Sequence, residues 1–178
     1  MIVLANVISF AGCILMVAIG LMKDRRKILG MQCVQWVIMG ISNLMLGGVT
    51  GFISNMISTV RNLYTLKRDL TQPVKWMFIA VQVVVSAAFN GIGWIGWLPI
   101  VAAVVFTLFL DQKDERVLKC SIIFGQILWA VFDLSLMNYT AFAFDVFTII
   151  STAIGLVRIS REKAGKGGVV LGGRAENL

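Results

Sequence analysis

The sequence predicts an all-α integral membrane protein with seven transmembrane helices, and three observations support this fold class. Of the 178 residues, 58% are hydrophobic and 14% are charged, whereas soluble domains contain about 45–50% apolar and about 25% charged residues. The charged residues cluster in a few short stretches, which leave seven apolar segments near the roughly 20 residues that one membrane crossing needs. The alternating segments of about 10 residues that are typical of a membrane β-barrel are absent. A water-soluble enzyme and a disordered chain are thereby excluded.

The first apolar segment, 2–22, lacks a basic start and a small-residue cleavage site, so we expect a retained helix and not a signal peptide. Arg61 lies inside the third segment, and we expect its side chain to extend along the helix towards the nearest charged loop; an anion site within the membrane is the alternative. The third and fourth segments are the weakest membrane spans, since each is short and the third contains Arg61. The remaining segments, in chain order, are 28–47, 50–66, 73–89, 91–110, 118–138 and 141–157.

The distribution of basic residues predicts the orientation. With seven crossings, every Lys and Arg except Arg61 lies in loops on one side or in the C-terminal tail. The three short loops on the other side carry none. Because basic loops stay in the cytoplasm, the N-terminus is expected outside and the C-terminus inside. A chain without the fourth crossing would place some basic loops outside.

An internal repeat predicts the division of the chain. Shifted by 90 residues, the sequence matches itself without a gap, so that Asn43 falls on Asp133 and Asn55 on Asp145. This predicts two parallel three-helix repeats joined by a linker helix, an arrangement known among transporters. The expected units are a first repeat at 1–69, a linker transmembrane helix at 70–90, a second repeat at 91–160 and a mobile cytoplasmic tail at 161–178.

Polar residues recur on one face of several segments. In the second segment Gln32, Trp36, Met39 and Asn43 form a stripe at helical spacing, and the sixth segment carries the matching stripe. The third and seventh segments form a second matching pair. Asp133 and Asp145 each lie five residues from the same turn, about 7 Å below the surface at 1.5 Å per residue. Polar side chains are costly in lipid, so we expect these faces to line a central solute pathway. The candidate substrate-binding residues are Trp36, Met39, Asn43, Asn55, Gln126, Trp129, Asp133 and Asp145.

Interhelical hydrogen bonding is the alternative explanation for these polar residues. It suits Asn43 and Asn55 as well as binding does, whereas ionisable Asp133 and Asp145 favour a functional role. Aromatic residues on a helix face are commonly packing residues, so Trp129 fits either interpretation.

These features resemble a known group of membrane proteins. Gln126-x-x-Trp129-x-x-x-Asp133 in the sixth segment and Trp36-x-x-Met39-x-x-x-Asn43 in the second each match part of the aromatic-x-x-Trp-x-x-x-Asn/Asp motif of PnuC-type vitamin transporters. The three-one-three plan is similar to the SWEET, PQ-loop and PnuC-type (MtN3-like) superfamily. More narrowly, residues 1 to about 160 resemble the YgjV family of bacterial inner-membrane proteins. The resemblance implies a multi-pass protein of the bacterial cytoplasmic membrane and transport of a small solute.

The remaining motifs give little evidence about function. Gly91-x-Gly93-x-x-Gly96 spells a dinucleotide fingerprint but opens a membrane segment, where close helix packing explains it better. The three cysteines lie in apolar stretches without metal spacing, and we expect them to be buried. No nucleophile–base pair is evident, so we expect neither an enzyme nor a cofactor. The net charge of +7 is a topology signal and indicates no nucleic-acid partner.

The leading functional hypothesis is a transporter or facilitator that moves a small polar solute, vitamin-, nucleoside- or sugar-like, by alternating access between its two halves. The alternative is a non-transporting membrane scaffold or subunit whose polar faces serve helix packing or partner binding. The expected partners are the solute and the lipid bilayer, and the sequence leaves open whether the protein forms a homo-oligomer.

Overall fold

A computed structural model describes residues 1–20, 25–110 and 115–172, and within these ranges the chain is all helical. No strand is present there, as predicted, and seven α-helices are observed. In chain order they are α1 (Ile2–Gly20), α2 (Arg25–Met45), α3 (Val49–Lys67), α4 (Gln72–Ala88), α5 (Trp97–Phe109), α6 (Glu115–Ser135) and α7 (Tyr139–Gly172).

Two helix ends differ from the expected segments. The fifth segment begins with a 3₁₀ turn, Gly93–Gly96. Asn90, in the loop before this turn, holds the loop in place. Its side chain donates to the Gly93 carbonyl at 2.9 Å and accepts from the Ile92 amide at 3.3 Å. The helix α7 continues to Gly172, so residues 161–172 of the expected mobile tail are helical. Residues 173–178 of that tail, and residues 21–24 and 111–114 in two of the charged loops, lie outside the described residues.

Hydropathy separates the helices into groups. By length and composition, Arg116–Ser135 and Tyr139–Val157 are able to cross a membrane, and Ile2–Met16, Gln72–Ala88 and Gly93–Phe109 are shorter apolar helices. The helices α2 and α3 carry several polar side chains within their length, among them Asn43 in α2 and Arg61 in α3. These side chains lower the hydropathy of the two helices.

The bundle is polar inside and apolar outside. Among the residues described, 17 polar or charged residues are buried, against 11 hydrophobic ones. Large apolar side chains are exposed along the outer faces of the helices, as Phe147 and Ile154 are on α7. A water-soluble protein has the reverse distribution, because burial of apolar surface is its main driving force for folding. The distribution observed here suits a bundle surrounded by lipid.

Six helices pack in a closed ring. Each helix of the series α1, α2 and α3 packs on the next, as do α5, α6 and α7. Contacts between α3 and α5 and between α1 and α7 close the ring. The helix α4 packs on α3 and α5. The ring surrounds the interior in which the polar side chains lie.

Two turns, α2–α3 and α6–α7, share one backbone conformation. The amide of Gly48 donates to the Asn43 carbonyl at 2.8 Å, and that of Asn138 donates to the Asp133 carbonyl at 2.9 Å. The residue before each donor has a positive φ, 83° at Gly47 and 59° at Met137. Equivalent positions are 90 residues apart, the offset of the sequence repeat. We call the end of the bundle with these turns the turn end, and the opposite end the basic end.

Met137→Gly is expected to stabilise the fold. A left-handed conformation costs a residue with a side chain about 1–2 kcal/mol, and glycine avoids this strain at an entropic cost of roughly 0.5–1 kcal/mol. The net gain is on the order of 0.5 kcal/mol, seen as a higher midpoint of thermal unfolding in detergent. The matched control is Gly47→Ala, where added atoms meet open space, so that only backbone strain remains and the midpoint should fall. A lower midpoint for Met137→Gly would contradict the strain.

Candidate functional site

A cavity of about 80 Å³ lies inside the helical ring, towards the turn end. A space of this size accommodates several water molecules or a small polar group, since one water needs roughly 10–15 Å³ by the same measure. All eight predicted binding residues line it: Trp36, Met39, Asn43, Asn55, Gln126, Trp129, Asp133 and Asp145. The structure therefore brings residues of α2, α3, α6 and α7 together around one space.

Asn138 ties the cavity wall to the α6–α7 turn. This residue is completely buried, and its Nδ2 donates to Asn43 Oδ1 at 3.2 Å and to Asp133 Oδ1 at 3.4 Å. One amide thus links two residues that the sequence repeat aligns with each other. The corresponding position in the α2–α3 turn is Gly48, which has no side chain to offer. The sequence repeat aligns Gly48 with Asn138 but does not indicate this bridge.

Asp133 and Asp145 form a carboxyl pair. Asp133 is 1% exposed, and the two carboxyl groups lie within hydrogen-bonding reach of each other. An ionised carboxylate only accepts hydrogen bonds, so a direct bond between the two requires that one carries a proton. Asp145 Oδ2 is buried and has no hydrogen-bond partner among the described residues. No Lys or Arg of the described residues lines the cavity.

Among the described residues, Asn43 provides an unpaired hydrogen-bond donor, which complements the unpaired acceptor of Asp145. Its Oδ1 is occupied by Asn138, while its Nδ2 is buried without a partner in the described part of the chain. The cavity wall therefore contains one unused acceptor, on Asp145, and one unused donor, on Asn43. Buried polar atoms are nearly always hydrogen-bonded in native proteins, and an unpaired one costs about 1–3 kcal/mol. Both residues line the cavity, so a bound molecule is one source of the missing partners.

Aromatic and thioether groups supply the apolar part of the wall. The rings of Trp129 and Phe132 meet edge to face, with centroids 5.6 Å apart. Phe132 is completely buried, so it holds the Trp129 indole in place beside the cavity. Together with Met39 and Trp36, this indole gives planar and polarisable surfaces next to the polar groups.

Sequence reasoning missed five residues of the wall. Cys13 and Met16 come from α1, which shows no polar stripe that would have identified it. Ala141 and Phe144 precede Asp145 by four and one positions, on the same face of α7, so helical spacing around Asp145 was a usable signal. Gln35 was visible as a polar residue next to Trp36. The predicted stripe instead included Gln32, whose Oε1 accepts from Asn62 Nδ2 at 3.1 Å and ties α2 to α3.

Two expectations for individual side chains are wrong. Arg61 does not extend to a charged loop: it is 2% exposed, and its Nη1 donates to Thr107 Oγ1 inside the bundle. Aromatic rings on both α2 and α5 lie against its guanidinium, which holds it in the interior. Of the cysteines, Cys13 and Cys33 are buried as expected, but Cys120 is exposed because it lies on the outer face of α6.

The described residues contain no group of three or more His, Cys, Asp or Glu side chains placed to hold a metal ion. The cavity wall offers hydrogen-bonding side chains, aromatic surfaces and two carboxyl groups to a bound molecule.

Comparison with known proteins gives the family. A family model described as Imp-YgjV, bacterial inner membrane protein, matches residues 3–163. Searches of curated proteins and of solved structures found no match. The family match covers nearly all of the helical bundle and agrees with a multi-pass helical protein of the cytoplasmic membrane. The chain therefore belongs to the YgjV family of bacterial inner membrane proteins.

Proposed function

We propose that this protein is a transporter or facilitator of a small polar solute, which binds in the cavity between the two three-helix halves. One observation carries the proposal: a lipid-suited bundle encloses a polar cavity that contains a carboxyl pair, an unused donor and an unused acceptor. Polar and ionisable groups at membrane depth are costly, and in membrane proteins they commonly mark solute or ion pathways. The bare fold gains nothing from leaving Asn43 Nδ2 and Asp145 Oδ2 unpaired.

The packing suits movement between two halves. The contacts of the closed ring have the pattern that two equivalent units produce, with α1, α2 and α3 matching α5, α6 and α7. The shared turn conformation at Gly47 and Met137 supports the same equivalence. In this proposal α4 is the linker, the N-terminus lies outside, and rocking of one half against the other exposes the cavity to each side in turn.

The partial motifs around Trp129 and Met39 support a distant relationship to SWEET, PQ-loop and PnuC-type transporters, and we include that relationship in the proposal. In the second repeat, Gln126 stands where those transporters carry an aromatic residue. In the first repeat, Met39 stands in place of the tryptophan. Both departures change the surface offered to a ring, so a vitamin- or nucleoside-like solute is one class to test, beside sugars.

The alternative function is a non-transporting membrane scaffold or subunit. One observation favours it: Asn138 links Asn43 and Asp133, so a buried hydrogen-bond bridge joins the turn regions of the two halves. In that case the polar interior would serve helix packing, as interhelical hydrogen bonds do in other membrane bundles.

Transport measurements with purified full-length protein separate the two functions. Binding is first screened by the shift of the thermal unfolding midpoint against sugars, nucleosides and vitamins, because a ligand of the folded state raises the midpoint. Compounds that raise it are then tested for entry into proteoliposomes. We expect at least one such compound to enter faster than into protein-free liposomes. Folded protein that moves none of these compounds would favour the scaffold.

A further inference from the structure

Arg61 on α3 is the largest fully buried side chain among the described residues. It lies six residues after Asn55, about 9 Å nearer the basic end. Three contacts hold the guanidinium. Its Nη1 donates to Thr107 Oγ1, and its central carbon lies 5.7 Å from the Trp36 ring centroid and 5.2 Å from that of Phe106. One edge and the neighbouring ring surfaces are thereby occupied by protein.

The other edge has no partner in the part of the chain that the structure describes, and we call it the open edge. Nε and Nη2 of Arg61 are both buried and have no hydrogen-bond partner in the described residues. In a planar guanidinium the Nε–H and the adjacent Nη2–H point the same way, and together they form the fork that takes two oxygens of one carboxylate or phosphate. A buried cation without a counter-ion is strongly unfavourable, and aromatic contacts offset only part of the cost. The guanidinium therefore has a charge and two donors that the described residues leave without a matching acceptor.

The two unpaired N–H groups and the charge of Arg61 determine which ligand fits the open edge. Two parallel N–H groups require two acceptor atoms at the spacing of an oxoanion, and the positive charge requires a negative one. Water satisfies the donors but leaves the charge uncompensated. Thr107 cannot turn to serve this edge, because its hydroxyl donates to the Ala103 carbonyl at 2.7 Å while accepting from Nη1.

Trp36 connects this edge to the solute cavity. Its ring contacts Arg61 and also forms part of the cavity wall, so one aromatic side chain separates the guanidinium from the cavity. Arg61 thus lies next to the cavity wall, nearer the basic end than Asn55 of the same helix. A solute moving from the turn end to the basic end passes first the carboxyl pair and then the guanidinium.

We infer that the open Nε–Nη2 edge of Arg61 is a binding site for an oxoanion group, a carboxylate or phosphate, carried by the transported solute. The existence of the site follows from the geometry of Arg61, whereas its assignment to a solute rests on the proposed function. Trp36 moves aside to admit the group from the cavity. The transported solute is then an anion or a zwitterion and not an uncharged sugar.

The test uses equilibrium binding, which does not depend on transport. Full-length protein in phospholipid-free detergent is titrated with sodium formate or inorganic phosphate, each against sodium chloride at equal ionic strength and pH. We expect either oxoanion to raise the midpoint of thermal unfolding by at least about 2 °C relative to chloride. Identical curves for oxoanion and chloride would overturn the inference.

Variants assign the response to the fork. Arg61→Met fills a similar volume and removes an unpaired buried charge, so it should fold at least as well and lose the response. Arg61→Lys keeps the charge but lacks the fork, and its half-saturating oxoanion concentration should rise at least about 10-fold. Lys67→Met removes an exposed charge from the same helix and should respond like the unchanged protein. A normal response in both Arg61 variants would exclude the site.

Two further experiments distinguish lipid from solute as the source of the oxoanion, and distinguish failure of the anion site from failure of the proposed transport. A response present in detergent but absent in nanodiscs containing phosphatidylglycerol would assign the edge to lipid phosphate and overturn the assignment to a solute. An oxoanion response in protein that moves no carboxylate- or phosphate-bearing solute would retain the site and reject the proposed transport. Undiminished uptake of such a solute by Arg61→Met would retain transport and reject the role of Arg61.

Discussion

Asp133→Asn is expected to reduce solute uptake by roughly 10- to 100-fold without loss of the fold. The substitution keeps the shape of the side chain and removes one of two carboxyl groups that lie within reach of each other in a buried site. A hydrogen bond to a charged group contributes about 1.5–3 kcal/mol, which corresponds to that range of rates. Folding should be unharmed, because the substitution relieves the desolvation of a buried charge and its repulsion by Asp145.

Uptake into proteoliposomes and the midpoint of thermal unfolding are measured on the same preparations. The matched control is Ser135→Ala, two residues further along α6, where the exposed hydroxyl donates only to the Val131 carbonyl of its own helix. Its uptake should be unchanged. Full uptake by Asp133→Asn would remove the carboxyl pair from the mechanism, and a collapse of its folded fraction would instead support the scaffold function.

Gly51→Ala is expected to destabilise the bundle by about 1–3 kcal/mol, the usual cost of overpacking. A Cβ at this position of α3 would lie 2.6 Å and 2.8 Å from two ring carbons of Phe132 on α6. Phe132 cannot give way easily, since it is completely buried and its ring packs against Trp129. The two helices, one from each predicted half, would have to separate. The midpoint of thermal unfolding should fall.

Two comparisons show whether the contact is the cause. Gly30→Ala on α2 adds the same methyl group where nothing lies within 4 Å, and it should stabilise the helix by about 0.5–1 kcal/mol. Phe132→Leu makes room opposite Gly51, so the double variant should recover part of the loss, a coupling that a double-mutant cycle measures. Equal midpoints for Gly51→Ala and Gly30→Ala would disprove the close approach.

The Gly51→Ala variant also tests whether the packing around Phe132 affects ligand binding. The Phe132 ring lies between Gly51 and the Trp129 indole, so a shift of the ring also displaces one wall of the cavity. Ligand-induced stabilisation should therefore weaken in Gly51→Ala even after its lower starting midpoint is subtracted.

Much of the candidate site was predictable because it depends on local periodicity. The positions of Trp36, Met39 and Asn43 follow from 3.6 residues per turn, which puts them on one face of α2. The repeat then pointed to the matching face of α6. Apolar length indicated the helices in the same way, although α2 and α3 fall short of a membrane span by hydropathy, because the residues that face the interior are polar.

The unpredicted features arise from contacts between residues that are distant in sequence. Asn138 bridges Asn43 and Asp133 across 95 and 5 positions, which no pattern in either helix indicates. The contribution of α1 to the cavity likewise depends on its packing against α2 and α7. Residues such as Cys13 carry no periodic polar signal.

Arg61 shows the difference most clearly. Composition and hydropathy show an arginine within an apolar helix near a basic loop, and on that basis extension towards the loop is the cheaper solution. Which way the side chain turns depends on whether neighbouring helices offer partners in the interior. Thr107 and Phe106 on α5 and Trp36 on α2 offer them, and these helices meet α3 only in the folded bundle. The membrane class, the helices and their polar faces are thus determined by the local sequence, because periodicity and hydropathy are properties of a single helix. The open edge of Arg61 and the Asn138 bridge were decided by tertiary packing, because each depends on side chains from different helices.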